Sequence, residues 1–99
     1  MNAISAIARS GMVAATASLG SAAHNIANLG TDGFHRQVAR QSAVEGGGVT
    51  TDLVQAGSPG HAPEQDVVEM LAAKHRFLAN LAVFRVSDTM AGRLLDLRA

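Results

Sequence analysis

The sequence predicts a mainly α chain. Two long antiparallel helices form a helical hairpin or coiled coil around a short β-hairpin or irregular middle. Three observations predict it. Apolar residues recur in steps of three and four at both ends of the 99-residue chain. Turn-forming pairs and glycines concentrate between those ends. The composition is 47% hydrophobic but only 3% aromatic and 16% charged, so large rings are scarce and small side chains must do most of the packing.

The same composition excludes several classes. The length admits one domain, spanning 1–99, with a marginal solitary core. The charged fraction lies below the roughly 25% usual for soluble chains, and the net charge of zero offers no global attraction to nucleic acid or anionic lipid. No apolar run reaches the length of a membrane span. Without cysteine there is no disulfide framework, thiolate nucleophile or zinc-thiolate cluster.

The first helix is expected over residues 1–30. This stretch is rich in alanine, the strongest helix former, and carries one charged side chain, Arg9. Ser5, Ala8, Met12, Ala15, Leu19, Ala22, Ile26 and Leu29 make a heptad seam of mostly small knobs. Gly30 is expected to end the helix in a left-handed C-cap. Ala15-Thr16-Ala17 has the form of a signal cleavage site, but no basic residue precedes the apolar part, so no cleaved signal is expected.

The middle spans 31–62. Asp32-Gly33 and Glu45-Gly46-Gly47-Gly48 are turn signals, and Phe34 to Val44 and Val49 to Val54 are short runs that a hairpin could pair. Disorder until a partner binds is the alternative, because a lone hairpin is marginal in water. Gly57-Ser58-Pro59-Gly60 reads as a linker.

The second helix is expected over 63–98. Pro63 suits its first turn, Glu64, Asp66 and Glu69 its positive end, and Arg93 and Arg98 its negative end. Val67, Met70, Lys74, Phe77, Leu81, Phe84, Asp88, Ala91 and Leu95 form its seam. Leu71, Leu78, Val83, Val86, Leu94 and Leu97 widen the apolar face beyond what one partner helix covers. That excess argues for assembly with further copies or other proteins.

Few residues suggest chemistry. His24, Asn25 and Asn28 form a polar knot whose plain role is helix termination; the functional alternative is hydrogen bonding to a neighbouring subunit. The histidines show no paired ligand spacing, so no metal is expected. Phe77 and Phe84 read as core, while Phe34 caps the bundle or docks on a neighbour. Lys74 and Asp88 either fix register within the seam or sit at exposed edges. Ser10, Ser21 and Ser58 adjoin glycine without a strand-serine-helix elbow, and Gly46 to Gly48 lack a following lysine and helix. Arg36 and Arg40 have no aromatic platform, so nucleic-acid binding is not expected. Neither catalytic residues, a cofactor nor a small-molecule substrate is expected.

Two segments resemble one family. Ser21-Ala22-Ala23-His24-Asn25-Ile26-Ala27-Asn28-Leu29-Gly30-Thr31-Asp32-Gly33-Phe34 is similar to the N-terminal signature of flagellar rod and hook proteins. There a serine- and alanine-rich helix runs into asparagine-x-alanine-asparagine, then threonine-proline-glycine and an aromatic. Val67-Val68-Glu69-Met70, His75-Arg76-Phe77-Leu78-Ala79-Asn80, Asp88-Thr89-Met90 and Leu94-Leu95-Asp96-Leu97 resemble the family's C-terminal helix. Asp32 replaces the proline, His75 a glutamine, and the short middle stands where many members carry an outer domain.

The resemblance implies a non-enzymatic subunit of the bacterial flagellar basal body, assembling through its terminal helices and contributing to motility. Its implied partners are copies of itself, other axial proteins and the flagellar type III export apparatus, which passes it without a cleaved signal. The family motif falls on His24, Asn25, Asn28, Gly33, Phe34 and Asn80. A soluble helical-hairpin adaptor related to rod proteins, which does not polymerise, is the alternative.

Overall fold

The computed structural model describes residues 3–98, with side chains described to residue 97. The ends of the predicted single domain and the side chain of Arg98 lie outside the described residues. The elements in chain order are helix α1 (Ala3–Ala27), strands β1 (Gln37–Ala43) and β2 (Val49–Gln55), and helix α2 (Pro63–Arg98). The described chain is mainly helical, with a two-stranded antiparallel sheet in the middle.

α1 runs through its alanine-rich stretch and stops three residues short of Gly30. Asn28 donates from Nδ2 to the His24 carbonyl (2.8 Å), and three-residue turns follow, with Asn28 N–H on Asn25 and Leu29 N–H on Ile26. These bonds occupy the loose carbonyls that a left-handed glycine would otherwise serve. Gly30 accordingly lacks the expected positive φ, and Gly33, at φ 71°, makes the turn instead. α2 begins at Pro63, where a missing N–H costs nothing, and its first bond runs from Asp66 N–H to Ala62.

The two helices touch with opposite sense. Ser5 and Ser87 share a hydroxyl hydrogen bond of 3.1 Å, Gly11 abuts Asn80, and Asn25 bonds Asp66 at 3.1 Å. α2 has 36 residues against 25 in α1. Its last turns therefore run past the start of α1, and the molecule measures 63 × 24 × 14 Å.

The core has an unexpected composition. Its buried apolar residues, among those described, are Ala8, Ala14, Ala15, Ala22 and Ala73. Beside them lie Ser5, Ser18, Ser21, Asn25, Asp66 and Ser87, and no large side chain is fully buried. The predicted seams are corrected in the same way on both helices. On α1, Ala8, Ala15 and Ala22 are in the contact line, but Gly11, Ser18 and Asn25 replace Met12, Leu19 and Ile26. Met12 and Ile26 are half-buried at its flank, while Leu19 and Leu29 are exposed. On α2, Met70, Phe84 and Ala91 remain half-buried, but Asp66, Ala73 and Ser87 are buried where Val67, Lys74 and Asp88 were expected.

The contact line thus slips back one residue at alternate seam positions. The reason is steric. Aligned small residues let two backbones approach closely, and bulky neighbours one residue away are pushed to the flanks. Lys74 and Asp88 consequently lie exposed and interrupt nothing.

Of the two alternatives for the middle, hairpin or irregular segment, the hairpin is present. β1 and β2 pair from Gln37↔Gln55 to Ala43↔Val49. At its open end Ala56 N–H donates to Arg36 (2.8 Å), and at its turn Val44 N–H donates to Gly48 (3.0 Å). Both bonds join even-numbered residues, so odd-numbered ones turn their main-chain groups outward. The sheet lies on α1. Gln41 Nε2 reaches Ser18 Oγ (3.1 Å), and Val49 N–H donates to Ser10 Oγ (3.2 Å).

The glycine turn is part of this docking. Gly46, Gly47 and Gly48 have φ of 91°, 113° and 92°. A Cβ on Gly47 would come within 2.7 Å of Ile7 Cδ1, and one on Gly48 within 2.9 Å of Ser10 Oγ. The Ile7 methyl can swing aside, so backbone strain dominates at Gly47. Gly47→Ala is expected to cost about 1–3 kcal/mol. Urea unfolding of the variant checks this, and a loss below a few tenths of a kcal/mol would contradict the docked turn.

Candidate functional site

The most highly connected group in the fold is a polar clamp at the α1 C-terminus. Asn25 is held on the last full turn of α1 and Asp66 on the first turn of α2, while Gln37 opens β1 and Arg36 immediately precedes it. The Asn25 side chain accepts the Gln37 N–H at Oδ1 (2.7 Å) and donates from Nδ2 to the Gln37 carbonyl (2.8 Å). A side-chain amide has the donor-acceptor pattern of a peptide group, so Asn25 acts as one residue of a third strand. Ser21 Oγ donates to the same carbonyl (2.8 Å).

Asp66 completes the clamp. Its Oδ1 accepts from Asn25 Nδ2 and from Arg36 Nη2 (2.6 Å), and its Oδ2 lies 3.4 Å from Arg36 Nε. The carboxylate side chain is only 4% exposed, against 21% for Arg36. Every buried side-chain polar atom among the described residues has a hydrogen-bond partner, as a buried charge requires. The clamp therefore holds α1, β1 and α2 together.

Next to it lies an aromatic stack. Phe34 meets the His24 ring edge-on at 5.5 Å and the His61 ring in parallel at 6.0 Å. His35 Nδ1 bonds the Ala56 carbonyl (2.8 Å). No group of three or more His, Asp or Glu fit for a metal occurs among the described residues.

The remaining predicted residues divide by exposure. Leu81 is half-buried, Phe77 is 36% exposed, and Leu95 lies in the overhanging end of α2 at 67%. An open apolar cleft of about 900 Å³ forms there, lined by Ile4, Val83, Val86, Met90, Leu94 and Leu95. It offers almost no polar group to orient a small polar molecule. Gly33 sits in its turn and Asn28 in the helix-ending bonds.

Asn80 covers Gly11. A Cβ at Gly11 would stand 2.6 Å from the Asn80 amide, whose Nδ2 donates to Arg76 (2.8 Å). Alanine gains about 1 kcal/mol over glycine in a helix, but here the amide must first move away. Gly11→Ala is expected to destabilise the wild-type chain and to stabilise an Asn80→Ala background by about 0.5–1 kcal/mol. A double-mutant cycle by urea unfolding measures the difference, and equal effects in both backgrounds would refute the contact.

Three residues escaped sequence reasoning. Asp66 read as a dipole partner, Arg36 as a scattered base and Asn25 as a terminator or intersubunit contact. The available signal was position: Asn25 and Asp66 each stand one residue from a predicted seam position. A scan of protein-family models finds no match to the chain, and a search of curated proteins finds none.

Proposed function

We propose that the chain is a structural, non-catalytic subunit of the bacterial flagellar basal body, a short relative of the rod and hook axial proteins. In this reading the helices form a coiled-coil-like hairpin that assembles with copies of itself or with other axial proteins. The export apparatus passes the chain without a cleaved signal, and it takes no nucleic acid, cofactor or small-molecule substrate.

The observation that carries the proposal is how the two family-like segments meet. Asn25 of the first bonds Asp66, immediately before the second, and Phe34 meets His24 edge-on within the first. The pairing leaves Val68, Leu71, Leu78, Val86, Met90 and Leu94 exposed along a 63 Å body. An all-small core with its large apolar groups outside suits a subunit that its neighbours complete.

The test is deletion of the gene with complementation by a tagged full chain. The expected results are lost or impaired swimming, restored by the tagged chain, and co-purification with detergent-extracted basal bodies. Leu94→Glu should abolish this co-purification while leaving the fold intact, because Leu94 is 62% exposed. Normal swimming with an exclusively cytoplasmic pool would overturn the proposal in favour of the soluble adaptor.

A further inference from the structure

The turn between α1 and β1 contains a peptide bond that the fold leaves bare. Asp32 and Gly33 are exposed, and neither makes a hydrogen bond or ion pair among the described residues. Nothing lies within 4 Å of where a Cβ on Gly33 would stand. The bonds that end α1 finish at the Thr31 N–H, which donates to Asn28 (3.0 Å). The next main-chain anchor is the Phe34 carbonyl, which accepts from the Gly60 N–H (3.0 Å). Asp32-Gly33 bridges these two anchors, with the Gly33 nitrogen beside an unpaired carboxyl group.

We infer that Asp32-Gly33 is a site of spontaneous isoaspartate formation, and thereby a substrate for an isoaspartyl carboxyl methyltransferase. The Gly33 nitrogen attacks Cγ of the Asp32 carboxylic acid. The nitrogen gives up its proton, the carboxyl hydroxyl leaves, and the two depart as water. The product is a five-membered succinimide, and closing a ring within one chain carries a large proximity advantage. Glycine has no Cβ to crowd the attacking nitrogen. Water then adds to the Asp32 main-chain carbonyl carbon and breaks its bond to that nitrogen. The nitrogen stays on Cγ, the former main-chain carbonyl becomes a free carboxyl, and the mass is unchanged.

The fold confines the reaction to this pair. Asp32 is the only Asp or Asn in the chain that precedes a glycine. Asn25, Asp66, Asn80, Asp88 and Asp96 lie within helices, where the ladder holds the next N–H. Leu29 N–H, after Asn28, donates to Ile26, and Asp52 is followed by the branched side chain of Leu53. The position also gives the reaction a consequence. An isoaspartyl link adds one carbon to the main chain two residues before His35 and one before Phe34, whose ring packs on His24 and His61. The longer link and its new carboxylate move Phe34 off those two rings. The inference goes beyond the flagellar reading and does not rest on it.

The test ages the full chain at neutral pH and physiological temperature, folded and in urea. Isoaspartate is read as methyl transfer from S-adenosylmethionine by purified methyltransferase, and peptide mapping places it. Residue 32 should accumulate at least about tenfold more than Asp52, Asp66, Asp88 and Asp96 together, and the folded chain should react within about tenfold of the unfolded one. Asp32→Glu keeps the charge but demands a six-membered ring, so methyl acceptance should fall at least about tenfold. In the converted fraction, the proton resonances of His24 and His61 should shift as the Phe34 ring leaves them. Isoaspartate spread evenly over the other aspartates would overturn the site. So would a folded chain more than about a hundredfold slower than the unfolded one, which would mean that the turn protects the pair. Histidine resonances that do not move in the converted fraction would overturn the link to the stack.

Discussion

Asp66→Ala is expected to destabilise the chain by about 3 kcal/mol, the low end of the range for breaking a buried ion pair. The low end applies because Arg36 keeps a fifth of its side chain in water while Asp66 keeps almost none. The variant leaves the guanidinium without its carboxylate and frees the Asn25 amide to turn from Gln37. Against a total of about 5–15 kcal/mol for a typical domain, that loss is a large fraction. Asn25→Ala should cost about 2 kcal/mol, since the main-chain groups of Gln37 lose their partners. The two losses should add to more than the double variant shows, because they dismantle one network. Urea unfolding of the three variants supplies the numbers. An Asp66→Ala loss under about 1 kcal/mol would mean that the clamp does not organise the fold.

Ala15→Leu should be the most damaging apolar change, costing about 3 kcal/mol as the upper end of overpacking. Ala15 is 1% exposed, and the helices are close there because alanines and serines line the contact. A leucine has no cavity to enter and must push α2 away, loosening the alanine contacts on both sides. Truncation at large residues should run the other way. Leu95→Ala, at a site 67% exposed, should change stability by less than about 0.5 kcal/mol. For Phe77→Ala the sequence-level expectation for a buried ring is about 3–5 kcal/mol, and its partial exposure reduces that. Thermal and urea unfolding of the three variants ranks them. If Leu95→Ala proved costlier than Ala15→Leu, the isolated chain would have a core of large residues after all.

Much of the fold was legible in the residues. Alanine content marked α1, Pro63 with its acidic first turn marked the start of α2, and the glycine run between two β-branched stretches marked the hairpin turn. These signals are local, because helix propensity, capping and positive φ act within a few residues of where they are read. The seams were half legible. Ala8, Ala15, Ala22, Met70, Phe84 and Ala91 fall at or beside the contact, while their seam partners slipped by one position. A heptad pattern identifies a face about 100° wide, and exchanging every second seam residue for its predecessor turns the centre of that face by only about 50°.

The clamp was not legible, because its members are 41 and 30 positions apart in sequence (Asn25 to Asp66, Arg36 to Asp66). Each looked ordinary in its own neighbourhood. An asparagine near a helix end, an aspartate in a first turn and an arginine before a strand all have local explanations, and only their juxtaposition makes them one group.

The sequence by itself determined the two helices, the glycine-rich stretch between them and the shortage of charge and large rings, and left the middle open between a hairpin and an irregular segment. Only the tertiary structure decided which residues meet. Close approach of two backbones favours the smallest side chains over the most hydrophobic ones, so alanine and serine took the core and the large residues were left on the surface. That choice depends on the fit between two helices, and neither helix carries it alone.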